Sequence, residues 1–197
     1  MDIAQLALAL GASLTAGLNL YLTLLTLGLL HRYDWLTLPA NLEILSHPAV
    51  MGTAAVLLVV EFVADKVPYI DNTWDFIHTF VRVPAGAVLA ASVLTDISPE
   101  LIWVAALVGG FVSFAAHGAK STARMVVNTS PEPFSNWVLS AAEDALSLAL
   151  LWLVSVYPTV ALLLSVGLLG LCLAVIYLFY RFFRRIFRPN PATQPSS

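Results

Sequence analysis

Charge is scarce in this chain. Of 197 residues only 11% are charged, 9 Lys or Arg against 12 Asp or Glu, while 59% are hydrophobic and the mean hydropathy is +0.86. Soluble domains carry about 25% charged residues, so the composition excludes an ordinary globular protein and reads as a polytopic membrane protein. No stretch is left over for a soluble catalytic domain. Cysteine is nearly missing as well: the lone Cys172 lies in an apolar run, which excludes an internal disulfide and a metal–thiolate cluster. There is no Cys-x-x-Cys and no His-Glu-x-x-His, and none of the four His lies within three to five positions of another, so no zinc site is expected. A phosphate-cradling glycine loop and a nucleophile elbow are missing too. No cofactor, no catalytic residue and no nucleic-acid partner are therefore expected. The opening run MDIAQLALALGASLTAGLNLYL lacks a positive n-region, its only early charge being Asp2, and is expected to be a first span rather than a secretory signal. Residues 189–197, PNPATQPSS, have nothing to bury and are expected to form a disordered cytoplasmic tail.

Six apolar segments are present, at about Ile3–Leu30, Pro48–Ala64, Pro84–Leu94, Leu101–Ala116, Phe134–Val156 and Thr159–Tyr180. In hydrocarbon an unpaired backbone group costs several kcal/mol, so each should be a helix. The expected fold is all-α, a bundle of about six transmembrane helices in one domain, residues 1–188. The first segment would be about 42 Å long at 1.5 Å per residue, against a core of roughly 30 Å, so it must tilt or break. Gly11, Ser13, Thr15, Gly17 and Asn19 are the candidates for the break. The third segment is short and is expected to borrow turns from Phe76–Val83. With six spans and both termini in the cytoplasm, Lys66, Arg82, Lys120, Arg124, Arg181, Arg184, Arg185 and Arg188 fall inside and only Arg32 outside, as the positive-inside rule requires. A faint internal echo lays Gly11, Thr15 and Asn19 on Gly109, Ser113 and His117. It suggests two inverted three-helix halves, residues 1–95 and 100–188.

The few charges are clustered. Glu61 and Asp65 share a helix face, with Lys66 next to them, and Asp71, Asp75, His78 and Arg82 are spaced by four, three and four, the stripe of a short amphipathic helix near 71–82 that lies at the cytoplasmic interface or folds back under the bundle. Ser113, His117, Lys120, Arg124 and Asn128 form a second stripe. Ser135 and Asn136 read as helix N-caps, and Glu143 with Asp144 lies about ten residues into the span that follows. A bland reading exists for each group: a solvated face, snorkelling cations or structural ion pairs. Ionisable side chains deep in a span are nonetheless functional-site candidates by default. A Ser113–His117–Asp144 triad can be written down, but serines one turn from a histidine arise often by chance.

Ala64-Asp65-Lys66-Val67-Pro68 with Asp71, Asp75, Thr79-Phe80 and Arg82, then Pro84-Ala85-Gly86, resembles a bacterial integral-membrane family known as domain of unknown function 4126. His117, Lys120 and Arg124, and Ser140 with Glu143-Asp144, are similar to its further polar motifs. The resemblance implies a compact helical protein of the bacterial inner membrane and carries no activity with it.

These features converge on one expectation: Glu61, Asp65, Lys66, Asp71, Asp75, Arg82, His117, Lys120, Arg124, Glu143 and Asp144 line a charged cavity open to the cytoplasm. The protein would then be a transporter or channel for a small ion or polar solute, its carboxylates handling a cation or proton. The alternatives are an intramembrane enzyme acting on a lipid or isoprenoid phosphate headgroup, and a non-catalytic scaffold. Its partners would be the bilayer and the solute, with a homo-oligomer left open and any metal unknown.

Overall fold

A computed structural model describes residues 2–64, 68–94, 98–127 and 133–186. The elements are α1 (Ile3–Leu18), α2 (Leu20–Arg32), a 3₁₀ segment (Ala40–Ser46), α3 (Pro48–Ala64), α4 (Pro68–Val93), α5 (Pro99–Val127), α6 (Pro133–Val156) and α7 (Pro158–Ile186), with no strand among the described residues. Among the described residues four helical stretches, Thr73–Val93, Pro99–Val127, Phe134–Val156 and Pro158–Arg185, are long and apolar enough to cross a membrane. A fifth arises if Ala40–Ser46 and Pro48–Ala64, bent by 65°, count as one span. The chain is a multi-pass helical membrane protein.

The long first segment breaks, and it breaks at Asn19. Gly11, Ser13, Thr15 and Gly17, also considered for the break, lie inside an uninterrupted α1. α1 starts on a capping box in which Asp2 accepts from the Gln5 amide at 2.7 Å and Gln5 receives the Asp2 amide at 3.1 Å. From Ala7 onward nearly all of α1 is buried, because it runs up the middle of the bundle against α4, α5, α6 and α7. Small residues allow that approach. A Cβ on Gly17 would strike the Ser113 carbonyl of α5 and come within 2.8 Å of the Ala116 Cβ. Ser13 Oγ donates to the Gly86 carbonyl of α4 at 2.9 Å.

The amphipathic helix expected near residues 71–82 is not a separate element but the first half of α4, which runs through Pro84 without ending. The phase of the stripe explains this. Asp75, His78 and Arg82 continue in register into Gly86, Leu89 and Val93, so one inward face serves the whole helix. That face is opposite to what an interfacial helix requires: Arg82 is 0% exposed, whereas Phe76 and Phe80 are 68% and 71% exposed. Likewise α6 begins at Pro133, so Ser135 and Asn136 sit in its first turn instead of capping it.

The core consequently has two storeys. At one end Ala7, Leu8, Ala12, Leu89, Val93, Ala105, Leu150, Val154 and Ala161 belong to an apolar cluster without charged side chains. At the other, where α3 ends, α4 begins, α5 ends and α6 begins, the buried positions are Glu61, Asp75, Arg82, Lys120, Arg124 and Glu143.

Candidate functional site

The buried charges form a single chain of alternating sign. Asp75 Oδ1 is 3.3 Å from Arg82 Nη1, and Arg82 Nη2 is 2.6 Å from Glu61 Oε1. That same Glu61 oxygen is 3.5 Å from Lys120 Nζ, which is 3.5 Å from Glu143 Oε2, and Glu143 Oε2 is 2.9 Å from Arg124 Nη2. Three acids and three bases from α3, α4, α5 and α6 thus compensate one another where water would otherwise have to. The chain is not fully satisfied. Glu61 Oε2 and Arg82 Nε are buried without a hydrogen-bond partner among the described residues, a costly arrangement for groups this polar.

The helix break feeds directly into this chain. Asn19 is at once the C-cap of α1 and the N-cap of α2, with φ −147° and ψ 101°. Its amide donates to the Thr15 carbonyl at 2.8 Å, and its carbonyl accepts from the Thr23 amide and hydroxyl at 3.1 and 2.8 Å. Its side-chain oxygen takes the Leu22 amide at 3.0 Å. In a continuous helix that amide would bond the Leu18 carbonyl. The Leu18 carbonyl is therefore released, and Lys120 Nζ donates to it at 2.8 Å. The remaining Asn19 group, Nδ2, donates to Asp144 Oδ1 at 2.9 Å.

Two histidines pin the neighbouring elements. Arg82 Nη1 lies 3.0 Å from His117 Nδ1; a guanidinium has no acceptor, so Nδ1 accepts and the proton sits on Nε2. Nε2 faces Thr79 Oγ1 at 2.8 Å and the Asp75 carbonyl at 3.0 Å, and the Thr79 hydroxyl itself donates to that carbonyl at 3.1 Å. His78 is held between the Trp74 carbonyl, 2.8 Å from Nδ1, and the Tyr21 hydroxyl, 2.9 Å from Nε2, while the Trp74 ring stacks on it at 4.3 Å. A surface groove of about 350 Å³, lined by Asp75, Phe76, Thr79, Ser121 and Met125, reaches the Asp75 end of the chain. There Ser121 Oγ donates to Asp75 Oδ2 at 3.3 Å.

Of the residues singled out from the sequence, Glu61, Asp75, Arg82, His117, Lys120, Arg124 and Glu143 come together, and Asp144 joins them through Asn19. Asp65, Lys66 and the side chain of Asp71 lie outside the described residues. Ser113 and His117 do not pair as a nucleophile and base would: Ser113 Oγ donates to the Arg82 carbonyl at 2.8 Å. Thr79, quoted from the sequence only within the family resemblance, lies four residues beyond Asp75 on the same helical spacing and joins the site through His117. Tyr21, Ser121 and the Leu18 carbonyl had no signal, since their roles depend on which helices meet. Among the described residues no group of three or more His, Cys, Asp or Glu side chains is placed to hold a metal ion.

Fold and site together define a multi-pass helical membrane protein with a buried ion-pair chain beside a broken helix. Residues 6–178 match the family model for domain of unknown function 4126, and the chain belongs to that family. No curated protein and no solved structure matches it.

Proposed function

We propose that this protein is a transporter or channel for a small ion or polar solute, with Glu61 and Glu143 handling a proton or cation. One observation carries the reading: Lys120 bridges Glu61, Glu143 and a main-chain carbonyl released by a helix break. Discontinuous helices whose freed backbone groups meet buried charges are the usual construction of transporter ion sites. The unpartnered Glu61 Oε2 supplies an acceptor for the ion. Protonating either glutamate would remove one link of the alternation and loosen Lys120 from its bridge. The groove at Asp75, Thr79 and Ser121 is the proposed approach from the cytoplasm. The same reading includes six spans with α1 and α2 as one broken crossing, both termini inside a bacterial inner membrane, and inverted halves led by α1 and α5.

A second reading has its own support. Each of Arg82, Lys120 and Arg124 has an acidic partner, as a chain that merely holds a scaffold together would. Reconstituted protein separates the two. Proton influx, followed by a trapped pH dye, and uptake of a panel of monovalent and divalent ions are measured for wild type, Glu143→Gln and the neutral pair Glu143→Gln/Arg124→Gln. Transport requires wild-type flux above empty vesicles and its loss, tenfold or more, in both variants. Should the neutral pair fold and keep full flux, or should wild type carry nothing in the panel, the scaffold reading stands.

A further inference from the structure

The C-terminal end of α7 carries a second polar site, remote in character from the ion-pair chain. Tyr177, Tyr180, Arg181, Arg184 and Arg185 follow the spacing i, i+3, i+4, i+7, i+8, so they share one helix face, and they line a groove of about 280 Å³. All five are exposed. On the opposite face Phe183 meets Phe179 in a tilted contact and Phe182 edge-on, with ring centroids 4.7 and 6.1 Å apart. At 29 residues, α7 is about 43 Å long at 1.5 Å per residue, some 13 Å more than a bilayer core. If Pro158 marks one edge of the core, the other edge falls near Tyr177, so the arginines lie at headgroup depth beyond a tyrosine belt.

We propose that this groove binds the phosphate of an anionic phospholipid headgroup. Three arginines stand on one face, and among the described residues no carboxylate pairs with any of them. A charge cluster lacking counter-ions at headgroup depth has anionic lipid as its complement. All three are Arg, none Lys, and the guanidinium fork matches two phosphate oxygens at once where an ammonium offers only a point charge. The Tyr177 and Tyr180 hydroxyls are additional donors to the same oxygens. The aromatic face, free of charge, is suited to the acyl boundary beside the headgroup.

The test is lipid retention by the full-length protein purified in detergent, read by native mass spectrometry with phosphatidylglycerol competing against phosphatidylethanolamine. Wild type is expected to prefer phosphatidylglycerol by tenfold or more. The variant Arg181→Gln/Arg184→Gln/Arg185→Gln should lose that preference, and the corresponding triple Lys variant should lose several-fold of it. Tyr177→Phe/Tyr180→Phe keeps every charge and should weaken retention two- to threefold, which gives a reading even if the triple variants express poorly. Equal retention of the two lipids, or a preference that survives the Gln variant, overturns the site. An undiminished preference in the Lys variant reduces it to a diffuse positive patch and likewise overturns it. Complete displacement by millimolar inorganic phosphate would mean that a free anion, not a lipid, is the occupant.

Discussion

Lys120 on α5 reaches across to α1 and donates to the main-chain carbonyl of Leu18 at 2.8 Å, an acceptor left without its helical partner because the Asn19 side chain has taken the amide of Leu22 at 3.0 Å. A single asparagine thereby interrupts a helix, caps both halves and creates a partner for a buried cation. The same lysine stands 3.5 Å from each of two glutamates. It is the point where the backbone break and the ion-pair chain become one structure.

Removing this cation without its partners should be expensive. Lys120→Met leaves Glu61, Glu143 and the Leu18 carbonyl short of a donor, and truncating one member of a buried ion pair costs roughly 3–5 kcal/mol. Thermal or denaturant unfolding in detergent measures it, and a loss below about 1 kcal/mol would show that the chain does not depend on Lys120.

Asn19→Ala should cost about 1–2 kcal/mol through the lost N-cap. It should also be coupled to Lys120: with the Leu22 amide released to the Leu18 carbonyl, the lysine has less to lose. A double-mutant cycle between Asn19→Ala and Lys120→Met is expected to give a coupling of roughly 0.5–3 kcal/mol. Simple additivity would contradict the shared carbonyl.

Gly17→Ala tests the approach of α1 to α5. The new methyl would meet the Ser113 carbonyl, which is backbone and cannot rotate away, so the helices must separate. Overpacking of this kind costs about 1–3 kcal/mol, whereas Gly52→Ala, at a site with open space around the Cβ position, should be neutral or slightly stabilising. Comparing the two melting temperatures decides the matter.

Tyr21→Phe removes only the hydroxyl that meets His78 Nε2 at 2.9 Å. The expected loss is about 0.5–1.5 kcal/mol, the usual net worth of one hydrogen bond. Because Tyr21 belongs to α2 and His78 to α4, hydrogen exchange should rise at the α2–α4 contact and not in the α1–α5 core. Uniformly raised exchange would argue against a local role.

Much of this was legible before any coordinates. The stripes Asp75–His78–Arg82 and His117–Lys120–Arg124 were visible as helical spacing, and both do face inward. The excess length of the first apolar segment called for a break or a tilt, and Asn19 was among the candidates. Harder to read was the depth of the first polar stripe. A charged face with aromatic residues opposite it resembles an interfacial helix, and only its continuation in phase through Pro84 to Leu89 and Val93 reveals a single crossing with its polar side turned inward. Hydrophobic periodicity reports that a helix has two unlike faces, not which one meets lipid.

Residence in a membrane and helical class follow from composition, because the cost of unpaired polar groups in hydrocarbon leaves a chain this apolar few other options. The matching of charge to charge does not follow, since Glu61, Arg82, Lys120 and Glu143 sit on four different helices and spacing along one helix says nothing about its neighbours. That pairing emerged from packing, as α1, α4 and α5 closed on one another through residues as small as Gly17 and brought the cations within reach of carboxylates and a freed carbonyl.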